Sequence, residues 1–240
     1  MLLLLGPTDV GKSTLALRLL EKAGEAYLLD LDPGQGALPG AFTLFRYREG
    51  HLAPLRRHLL GALSPMGVEA RAVVGALRLA RRIPPGSPAV ADTDGLLHPE
   101  FRLLQAEALS PTEILVLGAE ALHRALAWRK DLRVRLAPPL PGARRKTPAE
   151  RRRNRLERLL AHFKEARPRV LPLEGKGDTE RLYGLLDEEG FLLGYGRLLA
   201  WEAGEGLFLT PASGEVAKVV PTRIPSPFTR PPLPPPGDGA

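Results

Sequence analysis

The first fourteen residues constrain this chain more than anything after them. Leu2 to Leu5 is a short apolar run. Gly6 to Ser13 then spell G-x-x-x-x-G-K-S, and Thr14 leads into Leu15-Ala16-Leu17-Arg18-Leu19-Leu20. Strand, glycine-bounded loop and helix in that order predict a phosphate cradle, in which backbone N–H groups and a helix N-terminus converge on an anion. The nucleotide-binding candidates are Gly6, Thr8, Asp9, Val10, Gly11, Lys12, Ser13 and Thr14. Lys12 is expected to reach the β- and γ-phosphates, and Ser13 to hold Mg²⁺ through its hydroxyl. The expected ligand is ATP or another nucleoside triphosphate.

The remaining chain must then fold around that cradle. At 240 residues it has room for one α/β domain and a small appendage. It has no cysteine, which excludes disulfides and thiolate metal sites. Leu2 to Leu5 is too short for an export signal or a membrane span and reads as a buried parallel strand. No membrane association is expected, and the cytoplasm is the expected compartment. Net charge is +7, but Arg124 to Arg169 alone hold sixteen Lys/Arg against four Asp/Glu, or +12, leaving −5 for the rest. A basic charge so localised predicts a polyanionic partner.

Short apolar runs alternate with helical periodicity. Ala26 to Asp32 is a strand ending in carboxylates, and Phe42 to Tyr47 is a further strand. Leu59 to Gly67 is a strand or loop opening a helix over Val68 to Arg82. Ala89 to Gly95 is a short strand with a polar end. Phe101 to Leu109 is helical, Ile114 to Leu117 a buried strand, Glu120 to Ala127 a helix and Leu132 to Leu136 a strand. Thr147-Pro148-Ala149-Glu150 has the form of a capped helix start, and that helix runs over 147–166. The expected fold class is α/β: a P-loop NTPase with a mainly parallel, doubly wound sheet, plus a small β-rich C-terminal domain. The expected domains are 1–168, including the basic helix as a lid, and 169–223, followed by a Pro-rich tail over 224–240. The C-terminal runs are Val170 to Leu173, Tyr183 to Leu186, Phe191 to Arg197, Leu198 to Trp201, Leu207 to Thr210 and Glu215 to Val220. Asp187 to Gly190 reads as a hairpin turn.

Ligands of such sheets sit at the carboxyl ends of the strands. Asp30/Asp32 and Asp92/Thr93 fall there, so both segments should converge with the phosphate loop. Asp30 and Asp32 lie on one side of their strand. Beside a triphosphate, one carboxylate can organise Mg²⁺ and the other can accept a proton from an attacking hydroxyl. Carboxylates at strand ends also serve as plain caps. Arg151 and Arg155 share a helix face, with Arg152, Arg153 and Arg158 widening the positive surface. A solvated basic face is the alternative there, as is a basic linker for Arg144-Arg145-Lys146.

Residues 6–14 followed by Leu29-Asp30-Leu31-Asp32-Pro33-Gly34-Gln35-Gly36 resemble the polynucleotide 5′-hydroxyl kinase family. These are the P-loop RNA 5′-kinases related to enzymes of tRNA splicing, mRNA 3′-end formation and pre-rRNA processing. Gly61 to Pro65 resembles the family's G-x-x-S-P loop, Asp92 to Gly95 its D-T-x-G segment, and Arg151 to Arg155 its R-x-x-x-R lid. Leu185 to Phe191 and Thr210-Pro211 resemble its C-terminal domain. The resemblance implies that Lys12, Asp32, Arg151 and Arg155 are catalytic, with Asp32 as general base. It implies that Ser13 and Asp30 serve the metal, and that Gln35, Ser64, Thr93, Gly95 and Arg152 place the substrate. The implied partner is a nucleic acid with a 5′-hydroxyl end, RNA before DNA.

Two departures stand out. Some members carry a large β-domain before the phosphate loop, whereas this chain starts on the strand. Leu96 stands where the splicing branch has Trp. Some relatives bind ATP without turning it over, so the implied alternative is an ATP-binding switch or scaffold in an RNA-processing assembly. Asn154, the only Asn, is followed by Arg155, so no N-K-x-D guanine-reading motif exists.

Overall fold

A computed structural model describes residues 1–228. The chain runs β1 (Leu2–Leu5), α1 (Lys12–Ala23) and β2 (Glu25–Leu31), then a hairpin of β3 (Ala41–Arg48) and β4 (His51–Leu59). It continues with α2 (Glu69–Ala80), β5 (Ala89–Thr93), α3 (Pro99–Leu109), β6 (Glu113–Leu117), α4 (Glu120–Leu126), β7 (Val134–Ala137) and α5 (Pro148–His162). These strands form one seven-stranded sheet in the order β4-β3-β2-β5-β1-β6-β7. Pairing is parallel from β2 to β7, and the β3–β4 hairpin is antiparallel at one edge.

Alternation along β1 builds both layers. Leu3 and Leu5 enter a core with Ala72 and Leu79 of α2, Phe101 of α3 and Leu122 of α4. Leu4 faces the other way, into a core with Ala16 and Leu20 of α1. Each such leucine is fully buried and contributes about 2 kcal/mol by leaving water. Along β2, Leu29 and Leu31 join the first core and Ala26 and Leu28 the second. Asp30 and Asp32 therefore continue the α1 face of the strand.

The second sheet is wholly antiparallel, in the order β12-β9-β10-β11-β8. Its strands are β8 (Arg167–Pro172), β9 (Arg181–Leu186), β10 (Leu192–Glu202), β11 (Glu205–Thr210) and β12 (Lys218–Pro225). It docks against the hairpin edge of the first sheet and against α5. Leu38, Leu59, Leu159, Phe163, Leu182, Tyr195 and Ile224 share one core. Tyr195 Oη donates to the Pro39 carbonyl at 2.9 Å. Gly184 is needed here, because a Cβ would lie 2.4 Å from Leu59 Cδ2.

The structure differs from the sequence reading in several places. Helix α5 ends at His162 rather than at 166. Strand β4 occupies residues read without structure, and the segment after Leu59 is loop up to α2. Helix α2 covers 69–80 rather than 68–82. The two runs read at Phe191 to Arg197 and Leu198 to Trp201 are one strand, β10, with a register shift between Leu198 and Ala200. Strand β12 starts at Lys218 and continues to Pro225, because Thr222 Oγ1 donates to Leu182 O at 2.7 Å and Ile224 is buried. The first residues of the expected tail thus belong to a sheet, and residues 229–240 of that tail lie outside the described residues.

Candidate active site

The phosphate loop joins β1 to α1 in a backbone path that needs glycine. Gly6 has φ +142°, and a Cβ there would meet Leu117 O at 2.3 Å. Gly11 is left-handed at φ 93° as the N-cap of α1, against the Leu140 side chain. Asp9 also takes positive φ, at 64°. Lys12 is buried, and its Nζ donates to the carbonyls of Gly6 at 2.9 Å and Pro7 at 2.7 Å. Burial lowers the Lys12 pKa, and the nearby Asp92 and Asp32 carboxylates counter that.

A cleft of about 640 Å³ opens beside the loop. It is lined by Thr8, Asp9, Gly11 to Thr14, Asp30, Asp32, Gln35, Asp92 and Thr93, and by Arg144, Lys146 and Arg158 from the basic segment. Asp92 follows directly from the parallel register that sets it beside Leu4 and Asp30. Burial pushes its carboxyl up to about 6, while a hydrogen bond from Ser13 and the charge of Lys12 pull it back. Asp92 Oδ1 is buried with no hydrogen-bond partner.

Asp30 turns both oxygens to backbone. Oδ1 accepts from Asp32 N at 3.2 Å and Oδ2 from Ala37 N at 2.8 Å. Burial lifts its carboxyl to about 7 despite the Ala37 bond. Asp32 Oδ1 accepts from Gly34 N at 2.8 Å and Gln35 N at 2.7 Å. Its pKa is raised by burial, with those N–H groups and Lys12 opposing. Gln35 Nε2 reaches Gly34 O at 2.8 Å and Arg151 O at 3.4 Å, and its Oε1 is buried without a partner.

Helix α5 starts on a full capping box. Thr147 Oγ1 accepts from Glu150 N at 3.2 Å, and Glu150 Oε2 accepts from Thr147 N at 2.6 Å. That local device aims the helix over the cleft. Arg151 Nη2 donates to Asp9 Oδ2 at 2.7 Å and Thr8 Oγ1 at 3.0 Å, so the arginine rests on the phosphate loop. Lys146 N donates to the same Asp9 oxygen at 2.9 Å. Burial alone would raise the Asp9 pKa, but the Arg151 and Lys146 bonds outweigh it and hold the carboxyl below its ordinary value. Arg155 is partly buried; desolvation and the neighbouring Arg152 lower its pKa, and Asp32 raises it.

The substrate candidates divide. Thr93 lies in the cleft, with Oγ1 donating to Leu4 O at 2.7 Å. Gly95 packs on the phosphate loop, where a Cβ would lie 2.3 Å from Thr8 Cγ2. Ser64 is exposed outside the cleft lining, and its Oγ accepts from Met66 N at 3.2 Å. Arg152 is exposed on the outer side of α5.

Three groups that the sequence reading assigns to no catalytic, metal-binding or substrate-binding set hold positions here. Asp92 is the carboxylate that engages Ser13. Arg158 Nη1 donates to the carbonyls of Gln35 and Gly36. Arg102 is completely buried, ion-paired to Asp94 and bonded to Leu96 O at 2.9 Å and Gln105 Oε1 at 2.7 Å, which holds the turn containing Gly95. A strand-end position marks Asp92 and helical spacing from Arg151 marks Arg158, but the sequence has no signal for Arg102.

Residues 6–165 match the family described as mRNA cleavage and polyadenylation factor CLP1 P-loop. No curated protein matches the chain. Two solved structures of Clp1p resemble it, each with TM-score 0.70 and 12% identity over 93% of this chain and 74% of that one. One is the complex of wild-type Clp1p with Pcf11p. The other concerns an extended interface between these proteins and ATP loss in a point mutant. At that identity the likeness is one of fold.

Proposed function

The chain belongs to the CLP1 P-loop family, and from that premise we propose that it is an ATP- and Mg²⁺-dependent polynucleotide 5′-hydroxyl kinase. The family makes it a P-loop nucleotide-binding protein related to polynucleotide kinases. The finer reading rests on one observation: a single cleft holds Lys12 and Ser13 at a phosphate cradle and Asp32 within the same walls. A triphosphate alone needs only the cradle. A half-buried carboxylate facing the same space gives an incoming hydroxyl a proton acceptor.

In this reading Asp32 takes the 5′-hydroxyl proton as the oxygen attacks the γ-phosphorus and the bond to the β-bridging oxygen breaks. Burial raises the Asp32 pKa, which makes it a better base near neutral pH than a free carboxylate. Lys12, Arg151 and Arg155 offset negative charge on the transferring group. The acceptor is a polymer because the lid side of the cleft is basic, RNA before DNA.

The residues present suit Mg²⁺ carried in with the phosphates. Ser13 and Asp92 adjoin, and Asp92 Oδ1 has no partner. Among the described residues no cluster of three acidic or His ligands exists, so phosphate oxygens and waters would complete the shell. When bound, the ion supplies charge neutralisation across the β- and γ-phosphates.

Labelled ATP, Mg²⁺ and matched 5′-hydroxyl RNA and DNA oligonucleotides test the reading. Label is expected at the 5′ end, with RNA the better acceptor. Transfer to neither polymer, under conditions where ATP binds, overturns it. Asp32→Asn is expected to lower kcat by about 10³-fold with ATP affinity retained.

A further inference from the structure

Arg158 lies two turns beyond Arg151 on α5, on the same helix face. Its Nη1 donates to Gln35 O and, at 3.0 Å, to Gly36 O. Those carbonyls belong to the turn that holds Asp32. On the amide side of that turn, Gly34 N and Gln35 N donate to Asp32 Oδ1, and Gly36 N donates to Asp32 O at 2.7 Å. The turn is tight: a Cβ on Gly36 would lie 2.3 Å from Asp32 O and 2.8 Å from the Asp30 carboxylate. It is therefore held by carboxylates from inside and by one guanidinium from outside.

We infer that Arg158 is a positioning residue that clamps the 32–36 turn, and so aims the Asp32 carboxylate, rather than a contact for nucleotide or nucleic acid. The inference rests on the kinase reading only in giving Asp32 the role of base. Three points favour a clamp. One guanidinium nitrogen bridges two successive carbonyls, so it is already engaged with backbone. A second tie, Gln35 Nε2 to Arg151 O, joins the same turn to the same helix. Both ties come from α5, so the turn is braced from outside only while the lid helix lies over it, its inner bonds to Asp32 and Asp30 aside. The lid then has two tasks on one face: Arg151 answers the phosphate loop, and Arg158 sets the base.

Two measurements on the full chain test this, using Arg158→Ala, Arg158→Gln and Arg158→Lys, with Arg135→Ala, whose partner is Glu113 away from the cleft, as a surface control. The first is native-state hydrogen exchange of the 34–37 amides. In Arg158→Ala these are expected to exchange about tenfold faster, with β2 unchanged. Arg158→Gln, which keeps an amide donor, is expected to fall between. It also serves if the alanine variant folds poorly. The second is steady-state transfer. Arg158→Ala is expected to lower kcat about 100-fold, the scale for a misplaced catalytic group. KM for ATP and for the oligonucleotide, and the salt dependence of binding, should stay within about twofold. Arg158→Lys keeps the charge but on a shorter stem that does not carry its nitrogen to the position of Nη1, so it should keep oligonucleotide affinity without fully restoring kcat. Unchanged exchange at 34–37, or a raised KM with kcat intact and rescued by Lys, overturns the clamp. If the wild-type chain transfers no phosphoryl group, the kinase reading fails while the exchange data still decide the clamp.

Discussion

The basic segment divides into two halves that a charge count cannot tell apart. From Arg124 to Arg135 the guanidinium groups meet carboxylates of α3, α4, β6 and the loop after α4. Arg129 pairs with Glu107 at 2.6 Å and Asp131 at 2.7 Å, Arg135 with Glu113 at 3.0 Å, and Arg124 with Glu120 at 3.7 Å. Between Arg144 and Arg158, three side chains bond at the cleft instead. Arg151 sits on Asp9, Arg158 on the Asp32 turn, and Arg144 braces the Glu150 cap at 2.7 Å. The first half is neutralised where it lies, by pairs at the surface of the kind that contribute little. Those three arginines of the second half are tied to the cleft, Arg144 and Arg158 lining it and Arg151 on its phosphate loop. The charge count therefore covers one group paired away from the cleft and one paired at it.

The sharpest way to break that contrast is to delete one arginine from each half. Arg151→Ala is expected to lower phosphoryl transfer by about 10²–10³-fold, the range for removing one preorganised charge-stabilising donor. Arg135→Ala is expected to stay within about twofold. Equal losses in the two variants, in the labelled-ATP assay, would mean that both halves serve the site.

A smaller effect is expected from the carboxylate that receives the lid. Asp9 accepts from both Arg151 and Lys146 N, so Asp9→Asn should loosen the entry to α5. Tryptic cleavage at Arg144-Arg145-Lys146 is expected to speed up about tenfold, whereas Asp131→Asn should leave it unchanged. The pH response has a fixed sign. Asp9 is held below its ordinary value of 3.8 in the folded state, so its contribution is present above that value. It is lost as pH falls through the lower, folded pKa. Hydrogen exchange at the first turn of α5, followed downward from pH 5, should rise only below about pH 4. A rise starting near neutrality would assign the latch to another group.

How much of this could be read from the sequence depends on the range of the interaction concerned. The phosphate loop, α1, β5 and β6 were legible because apolar runs and glycine positions are local. The start of α5 was legible because a Thr-Pro-x-Glu cap carries its own hydrogen bonds. Strand β4 was not: Pro54, Arg56 and Arg57 argue against a strand, and only pairing with β3 makes it one. The continuity of β10 was hidden by its bulge, and the end of β12 by prolines that sit at a sheet edge. In the cleft, residue types were legible and their directions were not. Asp30 looked like a metal-side group, yet both its oxygens hold backbone. Asp92 looked like a strand end and stands against Ser13. Arg158 looked like surface charge and turns inward. Arg102, fully buried, could not be told from any exposed arginine.

The smallest effect tests what remains outside the cleft. Arg145 and Arg152 are exposed, so if the second half of the segment tracks a nucleic-acid backbone, these two should do it as point charges. Replacing both by Ala is expected to reduce the slope of log K against log salt for a single-stranded oligonucleotide by about 0.7 per residue, with kcat at saturating substrate unchanged. Arg133 and Arg135 face Glu113 at 3.8 and 3.0 Å. Replacing them should leave the slope where it was, because a guanidinium already paired with a carboxylate displaces few counterions when a phosphate arrives. A slope that fell equally in both double variants would show that Glu113 yields its partners to the polymer, and the two halves would then form one continuous track.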